Sequence, residues 1–131
     1  MTSNHPRPLS PHLTIWRWGP HMLVSILHRI TGVGLTIVGL AVLTWWLTAI
    51  AAGAEAHSGF TGFAGSPVGM IILVGLTWAF YQHLLSGIRH LVMDSGAGFE
   101  LETNKRFAIL TVIGAVLLTA LTWAVLLGVL A

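Results

Sequence analysis

A chain of 131 residues that is 55% hydrophobic and 8% charged, with a mean hydropathy of +0.84, is far more apolar than a soluble domain, where about 25% of residues are charged. It contains no Cys, which excludes disulfides, thiol chemistry and iron–sulfur ligation within the chain. The isoelectric point near 10.0 rests on six Lys and Arg that form no long run, so it reads as a basic membrane-proximal face rather than a nucleic-acid surface.

Residues 1–21 form an N-terminal segment in which Pro6, Pro8, Pro11 and Pro20 oppose a continuous helix. Trp16 and Trp18 on either side of Arg17 suit a headgroup layer or a partner surface. The segment has neither an apolar signal core nor an Arg- and Ser-rich transit pattern, so the first span is expected to direct its own insertion. Apolar runs of about 20 residues are long enough to cross a bilayer, and three such runs follow. The first is expected to be helical over about 22–52. Near its start Ser25, His28 and Arg29 stand at i, i+3 and i+4, and the same side continues as the small residues Gly32, Thr36 and Gly39. The Gly-rich stretch from Gly53 to Ser66 reads as a loop. The second span is expected over 67–93 and the third over 107–130, where Thr111, Thr119 and Thr122 can bond to backbone carbonyls and the helix has a packing role. The fold class is therefore all-α, a single membrane domain over 1–131 with three transmembrane helices. Three spans put every Lys and Arg on one side, and the positive-inside rule makes that side cytoplasmic, with the N-terminus on it.

The chemistry concentrates between Tyr81 and Asp94. His83 and His90 are seven residues apart and share a helix face, with Gly87 between them as a flat gap for a large planar group. His83 lies six residues deeper than Arg89, about 9 Å along a helix axis. A polar side chain at that depth is costly, and three roles remain open on the residues alone: a hydrogen-bonded packing His, a ligand to haem or another metal, and a proton relay. Arg29, Arg89 and His90 are near enough to the helix ends to reach the headgroups. Ser25 and Arg29 together offer a hydroxyl and a cation to a carbonyl oxygen such as that of a quinone. Asp94 ends its helix where acidic charge is disfavoured, so a cationic partner is expected.

Three motifs carry a family resemblance: Arg7-Pro8-Leu9-Ser10-Pro11-His12-Leu13, then Ser25-Ile26-Leu27-His28-Arg29-Ile30-Thr31-Gly32, then His83-x-x-x-Gly87-x-Arg89-His90-x-x-x-Asp94. In order, spacing and layout the chain resembles the succinate dehydrogenase cytochrome b subunits, the C-type membrane anchors of complex II, and the likeness covers essentially its whole length. The resemblance implies one half of a heterodimeric membrane-anchor helix bundle. With a second small anchor subunit it would hold a flavoprotein subunit and an iron–sulfur subunit on the bilayer. Electrons from succinate would pass through FAD and iron–sulfur clusters, both in partner subunits only, to ubiquinone.

The resemblance makes His83 the axial ligand of haem b and so the residue that binds its iron, with the second axial His coming from the other anchor. It assigns Ser25 and Arg29 to quinone binding, and His28, Arg29, His90 and Asp94 to the vicinity of the haem propionates or the quinone. The chain would then be a non-catalytic, electron-transferring subunit. The missing presequence pattern points to a bacterial inner (cytoplasmic) membrane rather than a mitochondrial one. Two other classes compete: a stand-alone cytochrome using His28 and His83 as paired ligands, and a small proton-channel or transporter subunit. The unequal depths of the two His oppose the first, and the apolar outer halves of the spans oppose the second. A fumarate reductase anchor is a close variant of the favoured reading.

Overall fold

The computed structural model describes residues 17–128. The first resemblance motif, Arg7 to Leu13, most of the N-terminal segment including Trp16, and the last residues of the third span lie outside them. Four helices and no strand occur among the described residues. They are α1 over Pro20–Ala52, α2 over Ala54–Ala64, α3 over Pro67–Asp94 and α4 over Leu101–Leu126. Three of them, α1, α3 and α4, are long and apolar enough to cross a membrane, in agreement with the all-α, three-span reading.

Local sequence explains where each helix begins and ends. Pro20 occupies the first turn of α1, where its missing N–H costs nothing, and Gly19 precedes it in extended conformation. Gly53 ends the helix at φ 108°, a conformation closed to L side chains, and the chain turns back. Ser66 caps α3 by accepting the Gly69 amide at 3.2 Å, with Pro67 just inside. Gly96 and Gly98, both at positive φ, turn the chain from α3 into α4. That last helix starts at Leu101, ahead of the apolar run at Phe107, because the charged turn containing Glu102, Lys105 and Arg106 is itself helical. Hydropathy marks where a helix enters an apolar layer, not where it begins.

The stretch from Gly53 to Ser66, read as a loop, folds instead into α2. Glu55 favours its N-terminus through the helix dipole. Phe60 is buried against Trp45 of α1, edge to face at 5.1 Å, and Phe63 packs on the same indole at 5.0 Å. The helix forms because α1 supplies an aromatic surface to fold onto, which outweighs the propensity cost of Gly59 and Gly62.

The three long helices pack inside out relative to a soluble bundle. Their shared interior holds Val24 and Thr31 of α1, Gln82, Ser86 and Arg89 of α3, and Ala108, Thr111, Ala115 and Thr119 of α4. Large apolar side chains such as Ile37, Ile71 and Leu117 face outward, each more than 60% exposed. In lipid the apolar effect does not draw helices together, so small residues that permit close approach and polar groups that bond take its place. Thr111, Thr119 and Thr122 each donate to the carbonyl three or four residues back. Tyr81 Oη and Thr122 Oγ1 bond across α3 and α4 at 2.9 Å, and Trp123 Nε1 donates to Thr77 Oγ1 at 3.3 Å. Removing the phenol with Tyr81→Phe leaves Thr122 bonded to Leu118, so the expected cost is only about 0.6 kcal/mol. Thermal unfolding in detergent checks this: a fall of a few degrees is expected, and one beyond about 10 °C would contradict it.

Candidate functional site

The polar side chains gather where α1, α3 and α4 meet, at the end of the bundle formed by the start of α1 and the α3–α4 turn. Three His rings form a row there. His83 of α3 stacks on His28 of α1, with centroids 4.0 Å apart and planes 9° from parallel. His28 in turn faces His90 at 5.3 Å and 52°.

His83 is fixed by α1. Its Nδ1 lies 3.1 Å from the His28 carbonyl oxygen and 3.3 Å from Thr31 Oγ1. A carbonyl only accepts, so Nδ1 donates and the lone pair of a neutral ring belongs to Nε2. Thr31 is held in place by its own bond to the Leu27 carbonyl at 2.7 Å. This arrangement, a backbone carbonyl and a hydroxyl fixing the far nitrogen, is how proteins orient an imidazole for a metal.

A second glycine, on the opposing helix, lies against His83. A Cβ on Gly32 would stand 3.0 Å from His83 Cε1, whereas a Cβ on Gly87 would meet only His28, at 4.0 Å. Gly32, on the stripe of small residues in α1, is what allows the two helices to close around His83. Just beyond it α1 passes through a π-helical turn, Leu35–Gly39, a distortion that often marks functional sites.

Two grooves flank the His row. One, of about 570 Å³, is lined by His28, Arg29, Gly32, Val33, Thr36, Ile37 and His83. The other, of about 340 Å³, is lined by His21, Ser25, Arg89, His90, Met93 and Asn104, with Phe99 and Leu101. His28 and His90 stand between them. A further groove between the start of α1 and α4, about 430 Å³, has Trp18, Leu23, Ile109 and Val112 on its walls and no charged group. Its chemistry is that of a lipid-facing surface.

The structure thus divides the expected constellation. Arg29 borders the His83 groove and Ser25 the His90 groove, although four residues of one helix separate them. Asp94 lines neither groove, is exposed, and has no cation partner among the described residues, contrary to the expectation of a pairing. Its position as the last residue of α3 leaves its charge to solvent. Arg89 does not reach out to the headgroups. It is 7% exposed and donates through Nη2 to Asn104 Oδ1. Asn104, His21 and the buried pair Gln82 and Ser86 are not singled out by the sequence motifs. Gln82, Ser86 and Arg89 stand at i, i+4 and i+7, a polar stripe on one face of an apolar helix, and that spacing could have found them.

His28 and His83 lie at one level rather than at unequal depths, so depth no longer opposes a haem held between them. Orientation does. Two axial imidazoles point their nitrogens at each other across the iron, whereas stacked rings 4.0 Å apart point theirs side by side.

The succinate dehydrogenase/fumarate reductase transmembrane subunit family model matches residues 3–122. The chain belongs to this family. Among its relatives, the succinate dehydrogenase cytochrome b556 subunit of Paracoccus denitrificans is 40% identical over 116 residues, covering 88% of each chain. That of Rickettsia felis is 37% identical over 117 residues, covering 89% of this chain and 90% of its own. The cytochrome b560 subunit of Sus scrofa mitochondria is 33% identical over 125 residues, covering 88% of this chain and 71% of its own. Membership in this transmembrane subunit family and three apolar helices make the chain a multi-pass membrane protein.

Proposed function

We propose that this chain is the cytochrome b anchor subunit of a succinate:quinone oxidoreductase in a bacterial inner membrane, with its N-terminus cytoplasmic. It pairs with a second small anchor and holds the iron–sulfur and flavoprotein subunits on the bilayer. It binds haem b through His83 and contributes Ser25 and Arg29 to ubiquinone reduction. The observation that carries the reading is the fixed ring of His83, whose Nδ1 is committed to the His28 carbonyl and whose Nε2 is left as the ligating atom.

The residues fit a haem. The His83 groove is walled by apolar side chains and Gly32, has Arg29 on its border as a cation for a propionate, and is a lateral groove that a second anchor can close. Bound there, haem supplies a one-electron carrier within the membrane. His83 orients it, Thr31 and the His28 carbonyl hold the ligand's proton on Nδ1, and the stacked His28 ring restricts rotation of His83. Ser25, in the neighbouring groove, has a hydroxyl that can donate to a quinone carbonyl. The groups that oxidise succinate belong to partner subunits, so this chain is a non-catalytic part of the enzyme.

Separate variants test the quinone roles. Ser25→Ala and Arg29→Leu are expected to lower succinate-driven quinone reduction at least about tenfold while leaving reduction of an artificial dye by succinate unchanged, since the dye draws electrons from the partner subunits. Equal losses with quinone and dye would contradict those roles and indicate failed assembly.

A further inference from the structure

Arg89 is the one buried charge among the described residues, and neither haem ligation nor Ser25 accounts for it. It meets no carboxylate among those residues. Asn104 satisfies one N–H, and Arg89 Nε is buried without an acceptor. A neutral amide leaves the charge itself uncompensated, and a guanidinium stays protonated in a protein. Both residues line the Ser25 groove with His21 and His90, and no acid lines it. Asn104 is held in turn through its Nδ2, which donates to Met93 Sδ at 3.4 Å. A desolvated cation that lines the same acid-free groove as the Ser25 hydroxyl suits an oxygen that acquires negative charge.

We propose that Arg89 is the cation that stabilises charge on the quinone oxygen in the Ser25 groove, and that Asn104 is the residue that positions it. The inference rests on the functional reading above and deepens it. Reduction of a quinone adds two electrons, delivered singly by the iron–sulfur partner, and two protons taken from water at the cytoplasmic face, so that two C=O groups become two C–OH groups. The first electron puts negative charge on the oxygen before its proton arrives. Ser25 donates to the neutral carbonyl in the ground state, whereas Arg89 interacts most strongly with the charged oxygen, and so acts on the rate more than on binding. An amide suits Arg89 as a partner because it orients the guanidinium without neutralising it.

Asn104→Asp tests this in the complete complex, because it keeps an acceptor for Nη2 but adds a counter-charge. The expected result is a fall in kcat for a short-chain ubiquinone of at least about tenfold, with KM and the affinity for a redox-inert quinone analogue within about twofold. Dye reduction from succinate and the haem spectrum stay unchanged. An unaltered kcat, or a loss confined to KM, would overturn the proposal. Should Asn104→Asp fail to assemble, Arg89→Lys is compared with Arg89→Gln: the retained charge should preserve more of kcat, and equal rates in the two would overturn it. Ser25→Ala separates the role of Arg89 from the functional reading beneath it. A raised KM in Ser25→Ala beside a silent Asn104→Asp rejects the role of Arg89 alone, while a parent complex that cannot reduce quinone from succinate rejects the functional reading with it.

Discussion

His83→Ala is expected to abolish the b-type haem spectrum of the complex. The ring is held by α1 at Nδ1, which leaves the lone pair of the neutral imidazole on Nε2. His28 is the nearest imidazole, but its ring lies parallel to that of His83 at 4.0 Å rather than in the ligating position, and its own Nδ1 is buried without a partner. A His83→Gly variant supplied with free imidazole should recover part of the haem absorbance, because the cavity accepts the missing ring while Thr31 and the His28 carbonyl still offer acceptors to its N–H. An unchanged spectrum in His83→Ala would remove His83 as the ligand. A lost spectrum without any imidazole rescue would leave a role in assembly as the better explanation.

Gly69→Ala is expected to destabilise the fold by about 2–3 kcal/mol, an overpacking cost. Gly69 is buried in the first turn of α3, where α2 ends, and a Cβ there would be driven into the Phe63 carbonyl and the adjoining backbone of α2. Backbone atoms cannot move aside as a side-chain tip can, so α2 or the cap at Ser66 must shift. Gly75→Ala is the matched control. It lies in the same helix with nothing within 4 Å of its Cβ position, and Ala is the better helix former. Thermal unfolding of the two variants in the same detergent should therefore move in opposite directions or leave Gly75→Ala unchanged. Equal destabilisation in both would show that glycine is needed along α3 for another reason.

The three spans were legible because hydropathy is a property of segments, and Ile30 to Ala54 has no charge to interrupt it. α2 was not, because its stability comes from Trp45, a residue of another helix, while its own composition argues for a loop. The site was legible in part. His28, His83 and His90 come together as a row, which the motif spacing within one helix could not show, since His28 belongs to α1. Helical spacing placed Gly87 on the face of His83, but it could not show Gly32, which approaches His83 from the opposing helix. Periodicity describes one helix at a time and says nothing of what crosses from the next.

Arg89 shows the same limit in energetic terms. Near a helix end an Arg ordinarily extends to the headgroups, and sequence position alone gives that reading. Its burial follows from Asn104, fifteen residues later on α4, which accepts from the guanidinium once α3 and α4 pack. Ser25 and Arg29 illustrate the converse. Their i, i+4 spacing puts them on one side of α1, but the neighbouring helices bring His90 and Asn104 towards one and His83 towards the other, so that one helix side faces two grooves.

Succinate-driven ubiquinone reduction by the complex, purified through a tag on this chain in mild detergent, decides whether the chain is a complex II anchor. The expected result is that flavoprotein, iron–sulfur and second anchor subunits accompany the tagged chain, that succinate reduces ubiquinone, and that a b-type haem spectrum is present. A tagged chain that carries haem with its partners bound but passes no electrons from succinate to quinone would contradict that assignment.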